Sequence, residues 1–130
     1  MSAFTVEFAN QPGELARLCE AMADRGVNIV VCGVAHGETG TVAFIADDEM
    51  AARTALEGAE IEFDERSAIT VRMDNVPGAG ARTFRNLADA GVNVDLLLPV
   101  RVSAEEFLAV ICTEDLVAAA SALGDQVVSD

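Results

Sequence analysis

Thr5-Val6-Glu7-Phe8-Ala9-Asn10-Gln11-Pro12-Gly13-Glu14-Leu15 is an alternating apolar run broken by an Asn-x-Pro-Gly turn, and a helical segment carries it into Gly26-Val27-Asn28-Ile29. Sixty-five residues later the chain repeats the pattern as Thr70-Val71-Arg72-Met73-Asp74-Asn75-Val76-Pro77-Gly78 and Gly91-Val92-Asn93-Val94. At that offset Thr5, Val6, Asn10, Pro12, Gly13, Ala16 and Arg17 recur unchanged, as do Ala23, Asp24, Gly26, Val27 and Asn28. A fixed period takes precedence over any local reading. It divides the chain into two units, residues 1–65 and 66–130. Units this short bury only about 60% of their unfolded surface, so each alone has a marginal core.

Working outward from the motif, Phe4 to Phe8 alternates as a half-buried strand. Asn10 to Gly13 closes it, with Pro12 near a helix start and Asn10 as its cap. Leu15, Leu18, Cys19, Met22 and Ala23 give one apolar helical face, which Gly26 ends as a left-handed cap. Val27 to Ala35 reads as a strand, Gly37 to Gly40 as a hairpin turn and Thr41 to Ala46 as the returning strand. Asp47 or Asp48 caps a second helix. Glu60 to Phe63 is the closing strand, and Asp64-Glu65-Arg66-Ser67 is the connection to the second unit. In that unit Ser103-Ala104-Glu105-Glu106 resembles a capping box before an apolar run. The repeat overrules it, making Ser103 to Glu106 a turn, Phe107 to Cys112 a strand and Thr113 to Leu116 the helix start. The order is βαββαβ twice: an α+β chain of two tandem ferredoxin-like units, antiparallel sheets with helices on one face.

Hydrophobic residues make up 52% of the chain and the mean hydropathy is +0.33, which points to apolar surface covered between units or subunits. Eight Lys plus Arg against twenty-two Asp plus Glu give a net charge of −14. That surface repels phosphate backbones and anionic lipid, so neither nucleic acid nor membrane is an expected partner. Every basic residue is Arg; without Lys there is no Schiff-base chemistry. No apolar run reaches the 18 or so residues of a membrane span, and Met1 to Glu7 does not read as a signal peptide. Cys19, Cys32 and Cys112 have no zinc or redox spacing and read as buried reduced thiols in a cytoplasmic protein.

No catalytic group, metal site or cofactor is expected. His36, the one histidine, sits beside a glycine turn, and Asp47-Asp48-Glu49 is accounted for by helix capping. Gly78-Ala79-Gly80 is only half of a dinucleotide fingerprint. The chain is therefore read as a non-enzyme.

The pattern Asn10-x-Pro12-Gly13-x-Leu15, a helix and Gly26-Val27-Asn28-Ile29 resembles the ACT domain family, and the second unit repeats it, departing where Gly80 replaces the leucine. The chain thus resembles a stand-alone tandem ACT protein. The resemblance implies a regulatory protein that binds an amino acid or another small effector at the interface between paired ACT-like units. The implied ligand-binding residues are Asn10, Gln11, Pro12, Gly13, Glu14 and Leu15 with Asn28, Ile29 and Val30. In the second unit they are Asn75, Val76, Pro77 and Gly78 with Asn93 and Val94. The chemistry suits an amino acid: a helix N-terminus seats a carboxylate, and the asparagine amides donate and accept. An Asn before Pro-Gly serves equally as a turn-forming cap with no ligand. A homodimer is expected, because the second strand of such a unit lies at an exposed edge rich in apolar residues. The alternative is a ligand-free interaction subunit of an amino-acid biosynthetic enzyme.

Overall fold

Alternation in the first strand sorts its side chains. Phe4 and Val6 enter the core and Phe8 packs at its margin, all on one face of β1 (Ser2–Ala9). The computed structural model describes residues 1–128 and divides into two compact units, Ser2–Arg66 and Ser67–Asp130, with Met1 grouped with the latter. After β1 come α1 (Glu14–Ala23), β2 (Ile29–His36), β3 (Thr39–Ala46), α2 (Glu49–Gly58) and β4 (Asp64–Ser67). The sheet order is β2-β3-β1-β4, the ferredoxin-like arrangement expected from the βαββαβ pattern. Leu18 and Met22 of α1 and Ala52, Ala55 and Leu56 of α2 close over Phe4, Val6, Val42 and Phe44. The Phe4 and Phe44 rings stack at 5.2 Å between centroids. Truncating a ring buried this completely costs about 3–5 kcal/mol.

The second unit repeats the plan with β5 (Ile69–Asp74), α3 (Ala79–Asp89), β6 (Leu96–Val102), β7 (Glu106–Cys112), α4 (Leu116–Leu123), a 3-10 turn (Gly124–Gln126) and β8 (Val127–Val128). Its sheet order is β6-β7-β5-β8. The Ser103 turn and the strand after it are as the repeat requires, and Asp115 caps α4 by accepting the Ala118 N–H at 2.9 Å. Pro99 lies on the edge strand β6, and the register shifts between Pro99 and Arg101. A proline cannot donate to a ladder, so it sits at an edge or a bulge.

Three expectations need correction. The closing strand of the first unit is Asp64–Ser67, not Glu60 to Phe63. Ile61 and Phe63 are spent packing against the core ahead of it, and an edge strand tolerates the polar residues that follow. Asn10 does not cap α1; Gly13 occupies that position at φ 93°, with no side-chain cap. Left-handed backbone there favours glycine. Of the thiols only Cys112 is buried, whereas Cys19 and Cys32 are exposed. Cys19 falls off the buried stripe of α1, and Cys32 lies on an edge strand whose residues are mostly exposed.

Candidate functional site

Asn10 ties its loop to the neighbouring hairpin. Its backbone N–H donates to the Glu38 carbonyl at 2.8 Å and its side-chain amide to the Gly37 carbonyl at 2.9 Å. Asn75 repeats both bonds, donating to the Glu105 and Ser103 carbonyls at 3.0 and 2.6 Å. The β1–α1 loop is thereby held beside the far end of β2. Gly13 and Gly78, at φ 93° and 92°, turn the chain into the helices. Gln11 donates to Glu14 at 2.9 Å, and Glu14 also faces Arg17.

Between this loop and β2 lies a trough of about 480 Å³, lined by Phe8, Asn10, Gln11, Pro12, Gly13, Leu15, Val31, Cys32, Gly33, Val34, Ala35 and Val42. That size suits a small molecule. Glycines let the strands and the Phe8 ring beside it pack closely. A Cβ on Gly40 would stand 2.6 Å from the Phe8 ring and 2.9 Å from Ala35, and one on Gly33 would stand 3.1 Å from Val42. The lining is apolar at the β2 wall, and loop amides border its mouth.

The expected residues therefore separate. Asn10, Gln11, Pro12, Gly13 and Leu15 share the trough, while Glu14 turns away toward Arg17. Asn28 lies at the opposite end of β2: its N–H donates to Asp47 at 3.0 Å and its carbonyl accepts from Asp47 at 3.1 Å. The eight residue steps from Asn28 to His36 span about 26 Å of extended chain. Ile29 packs toward the core and Val30 is half exposed at that same end. Within one unit, then, Asn28, Ile29 and Val30 do not meet the loop. Phe8, Val31, Cys32, Gly33, Val34, Ala35 and Val42 were missed as lining. Gly33, interrupting an apolar strand, is the signal in the sequence for a close approach at this wall.

In the second unit Asn93 donates to Asp95 at 3.1 Å and Val94 packs against the core, again at the strand end away from the loop. Val76 is exposed, and Pro77 and Gly78 lead into α3. Glu106 anchors the adjacent hairpin, pairing with Arg101 and, at 3.0 Å, with Arg72. The Arg101 hydrogen bond, with added attraction from both guanidinium groups, holds the Glu106 carboxyl below its usual range. The hydrogen bond from Arg53 does the same for Glu65. Among the described residues no cluster of His, Cys, Asp and Glu is arranged to hold a metal.

The fold has counterparts among solved structures. A protein of Bacteroides thetaiotaomicron superposes with a TM-score of 0.84 at 20% identity, covering 97% of this chain and 88% of that one. The ligand-free regulatory subunit of aspartate kinase from Thermus thermophilus gives 0.72 at 24% identity, covering 96% and 91%. That subunit is an ACT-domain protein. The fold fits a stand-alone tandem ACT-domain protein. No family model matches the sequence. An aspartokinase of Geobacillus stearothermophilus is 31% identical over 94 residues, 64% of this chain and 23% of its own length. This chain thus spans less than a quarter of that relative. No described helix of either unit is long and apolar enough to cross a membrane.

Proposed function

We propose that this chain is a non-catalytic regulatory protein of the cytoplasm, built of ACT-like domains 1–65 and 66–130, that senses an amino acid. The observation that carries the reading is the trough beneath Asn10–Leu15, where loop amides meet an apolar wall. The likeness to a regulatory subunit of aspartate kinase supports a role in control rather than catalysis. An amino acid places its carboxylate toward the backbone N–H groups at the start of α1 and its side chain against Leu15 and Val31.

The protein works as a homodimer in this proposal. Antiparallel pairing of β2 with the same edge of a second copy runs the two strands in opposite directions. The partner's Asn28 is then delivered to the loop that this copy's own Asn28 cannot reach. Asn28, Ile29 and Val30 thus belong to the site as a dimer contribution, and Asn75 to Gly78 with Asn93 and Val94 form its counterpart in the second unit. Effector binding that favours one packing of the subunits over another transmits the signal.

Calorimetry of the folded protein against the twenty amino acids tests this. Heat with one or a few, lost when Leu15→Asp charges the trough wall, is the expected result; silence with all of them rejects effector binding. The similarity to aspartokinase favours a second reading, in which the chain is a ligand-free subunit of an amino-acid biosynthetic enzyme. Silent calorimetry together with recovery of one such enzyme at fixed stoichiometry would establish that alternative.

A further inference from the structure

Arg17 and Arg82 occupy the same place in the two repeats but meet different surroundings. In the first unit Arg17 is engaged: its Nη1 faces Glu14 at 3.8 Å and its Nη2 donates to the Ala59 carbonyl at 3.3 Å. The hollow beside it, about 210 Å³, is walled by apolar Leu18 and Ile61 as well as by Glu14. At the same offset in the second unit Ala79 replaces Glu14, Thr83 replaces Leu18 and Asn86 replaces Ala21. The hollow is larger, about 390 Å³, and Arg82, Asn86, Asp74 and Asp125 line it together with Thr83 and Gln126.

The Arg82 side chain makes no ion pair or hydrogen bond among the described residues, although its backbone N–H donates to the Gly78 carbonyl at 3.0 Å. Its Nη1 rests 3.1 Å from the point where a Gly78 Cβ would stand, so the guanidinium lies back against the first turn of α3. That turn holds no acidic residue. A cation is thus set at the positive end of a helix, with the acid that answers it in the other repeat removed. Across the hollow the Asp74 and Asp125 carboxylates are equally unengaged among the described residues, whereas Gln126 is fixed by donating to Thr83 at 2.9 Å and to the Arg72 carbonyl at 3.2 Å.

We infer that this hollow between β5, α3 and the 3-10 turn is a second small-molecule site, for a free α-amino acid bound as its zwitterion. The ligand's carboxylate replaces the missing Glu14 equivalent on Arg82, with Asn86 one helical turn further along as an additional donor. Its ammonium faces Asp74 and Asp125. A simple carboxylate is disfavoured, because two fixed carboxylates and the net charge of −14 repel it. The site is on the β8 side of α3, away from the β6 edge, so it is separate from the trough proposed above and does not depend on it.

The test is a titration of the 15N-labelled full chain with glycine into the tens of millimolar, read from the Arg82 Nε–H, the Asn86 side-chain amide and the Thr83 backbone amide. Saturable shifts at these groups are expected with glycine and not with acetate or methylammonium, which each carry half of the ligand. Arg82→Gln should weaken binding about tenfold or more, the loss of one charge-assisted contact. Arg82→Lys should recover part of it, and Arg17→Gln should leave it intact. Equal shifts in the Arg82→Gln protein with its dispersed spectrum retained, no shifts with glycine, or equal binding of acetate would each overturn the inference.

Discussion

Glu60 is the one non-glycine residue with positive φ among those described, at 56°. It ends α2 as Gly26 and Gly91 end α1 and α3: the next residue's N–H reaches back to the helix, Ile61 to the Leu56 carbonyl at 2.9 Å. A side chain is strained there. Glu60→Gly should therefore stabilise the protein by about 0.5–1 kcal/mol, read as a higher urea midpoint with unchanged slope. Thr113 presents the opposite problem, a buried hydroxyl with no hydrogen-bond partner among the described residues. Thr113→Val keeps the shape and removes the unmet polar atom, so it should be neutral or stabilising by up to about 1 kcal/mol in the same assay. Asn10 shows why some residues resist assignment from sequence. Asn-x-Pro-Gly reads as a cap, but its amide goes to the Gly37 carbonyl, far along the chain. Only the folded hairpin creates that acceptor. Asn10→Ala should cost about 0.5–1.5 kcal/mol by chemical denaturation even without an effector.

Among the elements, β7 was the hardest to read. Phe107 to Cys112 is continuously apolar because residues on both faces of the strand are buried or nearly so, and such a run has no period to separate strand from helix. Ser103 deepened the ambiguity for a physical reason: its Oγ accepts the Glu106 N–H at 3.0 Å, the same three-residue reach a capping serine makes. The repeat resolved what local chemistry left undecided. β4 failed for the converse reason, since Ile61 and Phe63 have strand-like alternation yet serve as core packing, and Asp64–Ser67 owes its strand to the vacant side of β1. The β6–β7 hairpin also carries a pH response. With the Glu106 carboxyl held low by Arg101, its contribution is complete above the ordinary glutamate range and is lost as pH falls through the depressed value. Glu106→Gln removes that dependence. Urea midpoints of the variant and parent should differ near neutrality and converge in acid; a difference that persists unchanged in acid would rule out the linkage.

For the whole molecule, the two-unit architecture was legible because duplication wrote each signal twice, whereas the trough was only half legible. The loop side carries a motif, but the β2 side is defined by small residues, Gly33 and Ala35, whose significance appears only when Phe8 and Leu15 are seen opposite them. The same edge governs assembly. Val30, Val31 and Val34 remain 38%, 38% and 73% exposed on a strand paired on one side only, an arrangement prone to pairing. A Lys at Val34 places a charge on that edge without touching the core, since Val34 is the most exposed of the three. Val34→Lys should therefore leave the far-ultraviolet spectrum unchanged and reduce the sedimentation mass from two chains to one. Val34 also lines the trough and the proposed effector site draws Asn28 from the partner, so on both counts the same variant should weaken effector binding at the trough while leaving the Arg82 hollow unaffected. A parent protein that sediments as one chain, or a Val34→Lys variant that remains a dimer, would exclude the β2 edge as the dimer contact.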